Sequence, residues 1–141
     1  MAPSLDRTER LARRLELGRV HYACGRFFEA HQVWELAWRE ESGTPRLLLQ
    51  GLILAAGAYH KMANQQQPVG MAALLEKALD RLEQLPDGLA GLELARFKDG
   101  LRRSLREARA WRDGAPTPSG PAPLGAWSPE ESAGLDSASG G

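Results

Sequence analysis

The sequence predicts an all-α fold, a bundle of four to five helices with a disordered C-terminal tail. Three observations carry this. Apolar residues through the first 112 positions recur at spacings of three and four, not two. β-Branched residues, which favour strands, are scarce. Short Gly- and Pro-containing breaks divide that stretch into segments of helical length.

Leu11, Leu15, Gly18 and Tyr22 share one face of a first helix, Leu5 to Ala23, which Gly25 is placed to end. A second helix runs from Phe27 to Glu41 and stops at Ser42-Gly43-Thr44-Pro45. Thr44 is the expected N-cap of a third helix and Pro45 its first residue. From Leu47 to Tyr59 that helix is apolar nearly all round, which places it at the centre of the bundle. Asn64 to Pro68 breaks the pattern. Met71, Leu75, Ala78, Leu82 and Leu85 then form the seam of a fourth helix, and Pro86-Asp87-Gly88 a turn. A fifth helix, Leu92 to Arg112, turns Leu94, Phe97, Leu101, Leu105 and Ala108 inward. Residues 1–112 are thus expected to form the bundle and 113–141 the tail, because 21 of the 28 residues after Asp113 are Gly, Pro, Ser or Ala. Such a segment buries too little apolar surface to offset its ordering entropy. Leu124, Trp127 and Leu135 are its large apolar groups.

The 141 residues carry 18 basic and 18 acidic side chains, with all the basic ones before residue 113. No apolar run reaches the roughly 18 residues of a membrane span, and the first residues lack the apolar core of a signal peptide, so a cytoplasmic protein is expected. A single cysteine, Cys24, excludes an internal disulfide and a Cys-rich zinc cage; it reads as a small core filler. There is no Gly-rich phosphate loop and no Gly-x-Ser-x-Gly elbow. Seven basic residues from Arg96 to Arg112 make one face of the last helix basic, but without interleaved aromatic residues this reads as a solvated face, not a nucleic-acid surface.

Chemistry concentrates in the second and third helices. At about 100° per residue, His31 falls between Phe27, Trp34 and Trp38, so its imidazole is expected to point into the core. Glu35 follows at i,i+4 and can share its site, whereas Glu29 lies about 160° away. His21 reads as a histidine at the core boundary. On the third helix, Gln50, Ile53, Gly57, His60 and Asn64 lie along one stripe. If the two stripes face each other, His31, Glu35 and His60 would line one pocket with Gln50 nearby. Two imidazoles and a carboxylate can hold zinc, manganese or iron with positions open for water. The same groups would equally serve as a buried hydrogen-bond network that fixes helix register.

Leu17-Gly18, Gly25, Phe27, Ala30, Trp34 and Ala37 stand at the spacing of a single tetratricopeptide-like hairpin, with no second copy one period on. More specifically, Phe27-Phe28-Glu29-Ala30-His31, Trp34-Glu35, Trp38-Arg39, Leu49-Gln50-Gly51-Leu52 and His60 resemble the domain of unknown function 309 family across most of residues 15–85. That resemblance implies a small helical protein of a kind sometimes labelled a predicted metal-dependent hydrolase. Carried over by position, the family's polar signature falls on Glu29, His31, Glu35, Gln50 and His60, with Trp38 as the aromatic partner. On the metal reading of these residues, His31, Glu35 and His60 are the ligands, His31 and Glu35 the catalytic groups, and Glu29, Trp34, Trp38 and Gln50 the pocket residues. The family usually carries Glu where this chain has Gln32, which removes one carboxylate from any such scheme. Two functions stand at this point: a His/Glu-lined pocket that binds a divalent metal and supports hydrolysis, or a non-enzymatic module that contacts a protein partner. A small-molecule ligand and a homo-oligomer are compatible with both; a membrane is with neither.

Overall fold

The periodicity of the sequence becomes five helices in the computed structural model of the chain, which describes residues 6–125. Helix α1 (Arg7–Ala23) opens at Asp6, whose carboxylate accepts the Glu9 backbone N–H at 2.8 Å. The chain reverses at Gly25, and α2 (Phe27–Glu40) returns along α1. Helix α3 (Gly43–His60) starts slightly earlier than expected: Ser42 takes the N-cap position in place of Thr44, and Pro45 falls in the first turn. A wide π-helical turn, Lys61–Gln65, absorbs the polar break, and α4 (Pro68–Leu82) begins on its proline. A 3₁₀ turn at Leu89–Gly91 leads into α5 (Leu94–Arg112). Among the described residues there is no strand, and no helix is long and apolar enough to cross a membrane.

Helices adjacent in sequence are adjacent in space, with α3 packed between α2 and α4. Every inward residue expected of α4 and α5 is buried, from Met71 to Leu85 and from Leu94 to Ala108. Burying a Leu or Phe side chain contributes about 1.5–3 kcal/mol, so these two seams dominate the stability of that half. The other half is organised by aromatic rings. Tyr22 meets Phe27, Tyr59 and Phe97 edge-on at centroid distances of 5.4, 6.0 and 6.1 Å, and Trp34 at 6.2 Å. Trp34 is fully buried because Gly18 lets α1 come close: a Cβ on Gly18 would collide with the indole. The indole N–H donates to the Leu15 carbonyl at 3.3 Å.

The chain after α5 departs from the expectation of disorder from 113 onward. Residues 113–125 form neither helix nor strand, yet they lie against the bundle with Pro118, Ala122 and Leu124 buried. Their hold is polar as well as apolar. The Tyr22 hydroxyl donates to the Ala122 carbonyl at 2.6 Å, and the Ala122 N–H donates to the Tyr59 oxygen at 3.0 Å. Tyr59 in turn donates to Ser104 Oγ at 2.8 Å. Ser104 is the buried polar residue of the core, and these bonds explain why it is tolerated there. Trp127 and Leu135 lie outside the described residues.

Burial also raises the Tyr22 hydroxyl pKa well above its ordinary value of 10.0, with the neighbouring Tyr59 adding to the shift. Burial raises Tyr59 too, partly offset by its bonds to Ser104 and Ala122. The unfolded chain therefore loses these protons at lower pH than the folded one. The stability tied to the two tyrosines should be intact below about pH 10 and decline as the pH rises through the higher folded values. Chemical denaturation at stepped alkaline pH measures this, and Tyr22→Phe should flatten the decline.

Candidate functional site

The α2 helix turns Phe27, Ala30, Trp34 and Ala37 into the core, so the centre of its buried face lies on the Ala30–Ala37 side and His31 falls at the margin. The expected core histidine is thus a half-buried surface residue, its side chain 37% exposed beside Glu35 at 35%. His31 Nε2 approaches Glu35 Oε2 at 3.2 Å. The other carboxylate oxygen, Oε1, accepts from Arg39 at 2.8 Å. Both oxygens of Glu35 are therefore engaged by residues of its own helix, as i,i+4 spacing allows.

His60, at the end of α3, does face this margin. Its ring lies 5.9 Å from that of Phe28, which also meets the His31 ring edge-on at 6.4 Å. What joins the two imidazoles on this surface is a phenyl ring, itself 49% exposed. Among the described residues no three His, Cys, Asp or Glu side chains come together in a group that could hold a metal ion. The donors present do not fit one either. One Glu35 oxygen is engaged by Arg39 and the other by His31, and the Phe28 ring stands against both imidazoles.

The other expected site residues separate. Glu29 is exposed on the far side of α2, as its spacing requires. Trp34 is core, not a pocket wall. Trp38 is half-buried beneath Arg46, whose guanidinium carbon sits 3.9 Å from the ring centroid, and its indole N–H is buried without a hydrogen-bond partner. Gln50 is half-exposed on α3. Cys24 is exposed at the chain reversal, not a core filler, because the helix ends before it. His21 sits at the boundary as expected, accepting from Arg26 Nε at 2.9 Å on Nδ1. Four of the seven basic residues of α5 have acidic neighbours: Arg96 with Glu93, Arg102 with Glu83 and Asp99, Arg109 with Glu76, and Arg112 with Asp113. That face is a solvated, internally paired one.

Sequence reasoning passed over Phe28 and Arg46. Phe28 precedes His31 by three positions, a spacing that puts two rings on one helix face. Arg46 follows the α2–α3 turn, where a long cation can fold back over an aromatic ring. It also passed over a cavity of about 480 Å³ at the opposite margin of α1. Leu11, Leu15, Leu48 and Leu89 supply its apolar lining, with Thr8, Ser42, Thr44 and an Arg7–Glu41 ion pair of 3.2 Å as its polar groups. None of the expected site residues lines it, and it contains no imidazole or thiol.

Comparison with known proteins agrees with this architecture. The model of a domain of unknown function (DUF309) matches residues 15–74, the stretch from the middle of α1 to the first turns of α4. The crystal structure of a conserved hypothetical protein from Thermus thermophilus is similar, with 40% identity, a TM-score of 0.51, and coverage of 71% of this chain and 95% of that one. No curated protein matches the chain.

Proposed function

The chain belongs to the DUF309 family, and from that premise we propose that it works as a non-enzymatic binding module whose contact face is the α2–α3 margin around Phe28. The observation that carries this is the half-exposed Phe28 ring flanked by the imidazoles of His31 and His60. A phenyl ring left 49% exposed wastes apolar burial within the monomer, and a partner surface would recover it. The two imidazoles and the Glu35–Arg39 pair beside it supply a polar rim, the usual surround of a buried aromatic anchor. Hydrolysis is disfavoured because the carboxylate that would serve as ligand or base is already held from both sides.

Site-specific photo-crosslinking tests this. A benzophenone side chain at position 28 should capture one protein from source cells, and capture should fall when His60 is replaced by Glu. The same group at Glu107 on α5 should not capture it. Equal capture from both positions would contradict a defined contact face at Phe28.

A further inference from the structure

Residues 118–124 sit in their groove in the manner of a bound peptide. Exposure alternates from Pro121 to Leu124, with Ala122 and Leu124 buried and the two prolines outward, the two-residue period of an extended chain. The groove reads one residue closely. Tyr59 accepts the Ala122 N–H while Tyr22 donates to its carbonyl, so both polar backbone groups of Ala122 are bound by side chains of other elements. Its methyl lies over Gly100 of α5, where an added Cβ would come within 2.6 Å of the Ala122 Cβ. The notch thus admits a small residue opposite a glycine and little else. The flanking prolines lack N–H groups and restrict φ, so this segment needs few other partners and loses little entropy on being held.

Backbone-directed tyrosine hydroxyls, a notch for one small side chain and an extended proline-flanked ligand are the elements by which aromatic grooves recognise proline-rich peptides in trans. We propose that the groove between α1, α3 and α5 is a recognition site for a partner protein's extended segment of the pattern proline, small residue, proline, aliphatic residue. The chain's own residues 118–124 are the cis ligand that occupies it. This site is separate from the Phe28 face and stands or falls independently of it. Because the cis segment is tethered, its effective concentration is about millimolar, and a partner competes only when the latch is weakened or the partner segment is abundant. The latch is fastened mainly by the hydrogen bonds to Ala122 and by the burial of Ala122 and Leu124.

Complementary changes on the two sides of the notch test this in the full chain. Gly100→Ala should expel the chain's own segment, while alanine's helix propensity keeps α5 intact. A fluorescent peptide of residues 116–125 carrying Ala122→Gly should then bind this variant roughly tenfold more tightly than the unaltered peptide does. In a second variant, Ala122→Arg, the groove is unaltered and its own ligand is spoiled; the unaltered peptide should bind this variant and bind the wild-type chain at least roughly tenfold more weakly. Absence of saturable binding to both variants, or binding indifferent to the exchange at Gly100, would overturn the proposal. Wild-type chains that dimerise with concentration by exchanging these segments would also overturn it, assigning the groove to a second copy.

Discussion

Trp34→Ala is expected to be the most damaging single substitution, costing about 3–5 kcal/mol. Trp34 is fully shielded from solvent, and its indole fills the space that Gly18 leaves between α1 and α2. Removing it opens a cavity that neither helix can close. Ala30 and Ala37, its neighbours on the same face, are too small to move in, and the α1–α2 connection is short. The Leu15 carbonyl also loses its indole partner. Domains of this size are stable by about 5–15 kcal/mol, so the loss is a large fraction of the total and should lower the melting midpoint by on the order of ten degrees or more. Thermal and urea unfolding monitored by circular dichroism measure it. A loss below about 1 kcal/mol would place Trp34 outside a close-packed core.

Tyr59→Phe should come next, and its effect should be uneven across the molecule. The hydroxyl both donates to Ser104 and accepts from the Ala122 N–H, so its removal leaves two groups without that partner, each costing about 1–3 kcal/mol if it stays buried. The chain can escape part of this cost. Releasing residues 113–125 would hydrate Ala122, leaving Ser104 as the chief cost within the core. The expected result is a moderate loss of global stability together with markedly faster amide exchange in 113–125 and faster proteolysis there. Tyr22→Phe deprives only the Ala122 carbonyl of a bond and should release the segment less. Uniform changes in exchange throughout the chain would show that the segment and the bundle unfold as one unit.

Much of this architecture was legible in the sequence, for a physical reason. Seams such as Met71–Leu85 and Leu94–Ala108 follow from helical periodicity, which is local and strong. The candidate site was less legible. The wheel of α2 placed His31 among Phe27, Trp34 and Trp38, but the rotation of the helix is set by what packs against it. The pairing of Trp34 with Gly18, together with Ala30 and Ala37, turned the buried face away from His31. Cys24 was misplaced although the end of α1 at Ala23 was read correctly, because the burial preference of cysteine as a residue type says nothing of which way the reversal at Gly25 turns it. The packing of residues 113–125 was hidden by the composition of the segment, since Gly, Pro, Ser and Ala give no periodic signal. A signal for its groove does exist in α5. Gly100 and Ser104 stand four residues apart on the inward face among Phe97, Leu101 and Leu105, a small and a polar residue where a closed core would carry two large apolar ones.

The most direct test of the metal-free α2–α3 margin on which the contact-face function rests is a thermal melt of untagged wild-type protein and of His31→Ala, each with zinc, manganese or nickel and each in chelator. A metal bound at about 100 times its dissociation constant would add roughly 2.7 kcal/mol, a shift of several degrees. The Glu35 carboxylate is engaged by His31 and Arg39, and the two imidazoles stand against Phe28, so the wild-type melts with metal and in chelator should coincide. His31→Ala should melt within about 5 °C of the wild type, because a half-exposed side-chain contact contributes at most about 1 kcal/mol. A metal-induced rise of several degrees in the wild type that is absent in His31→Ala would contradict the contact-face function and establish a metal centre on the α2–α3 margin.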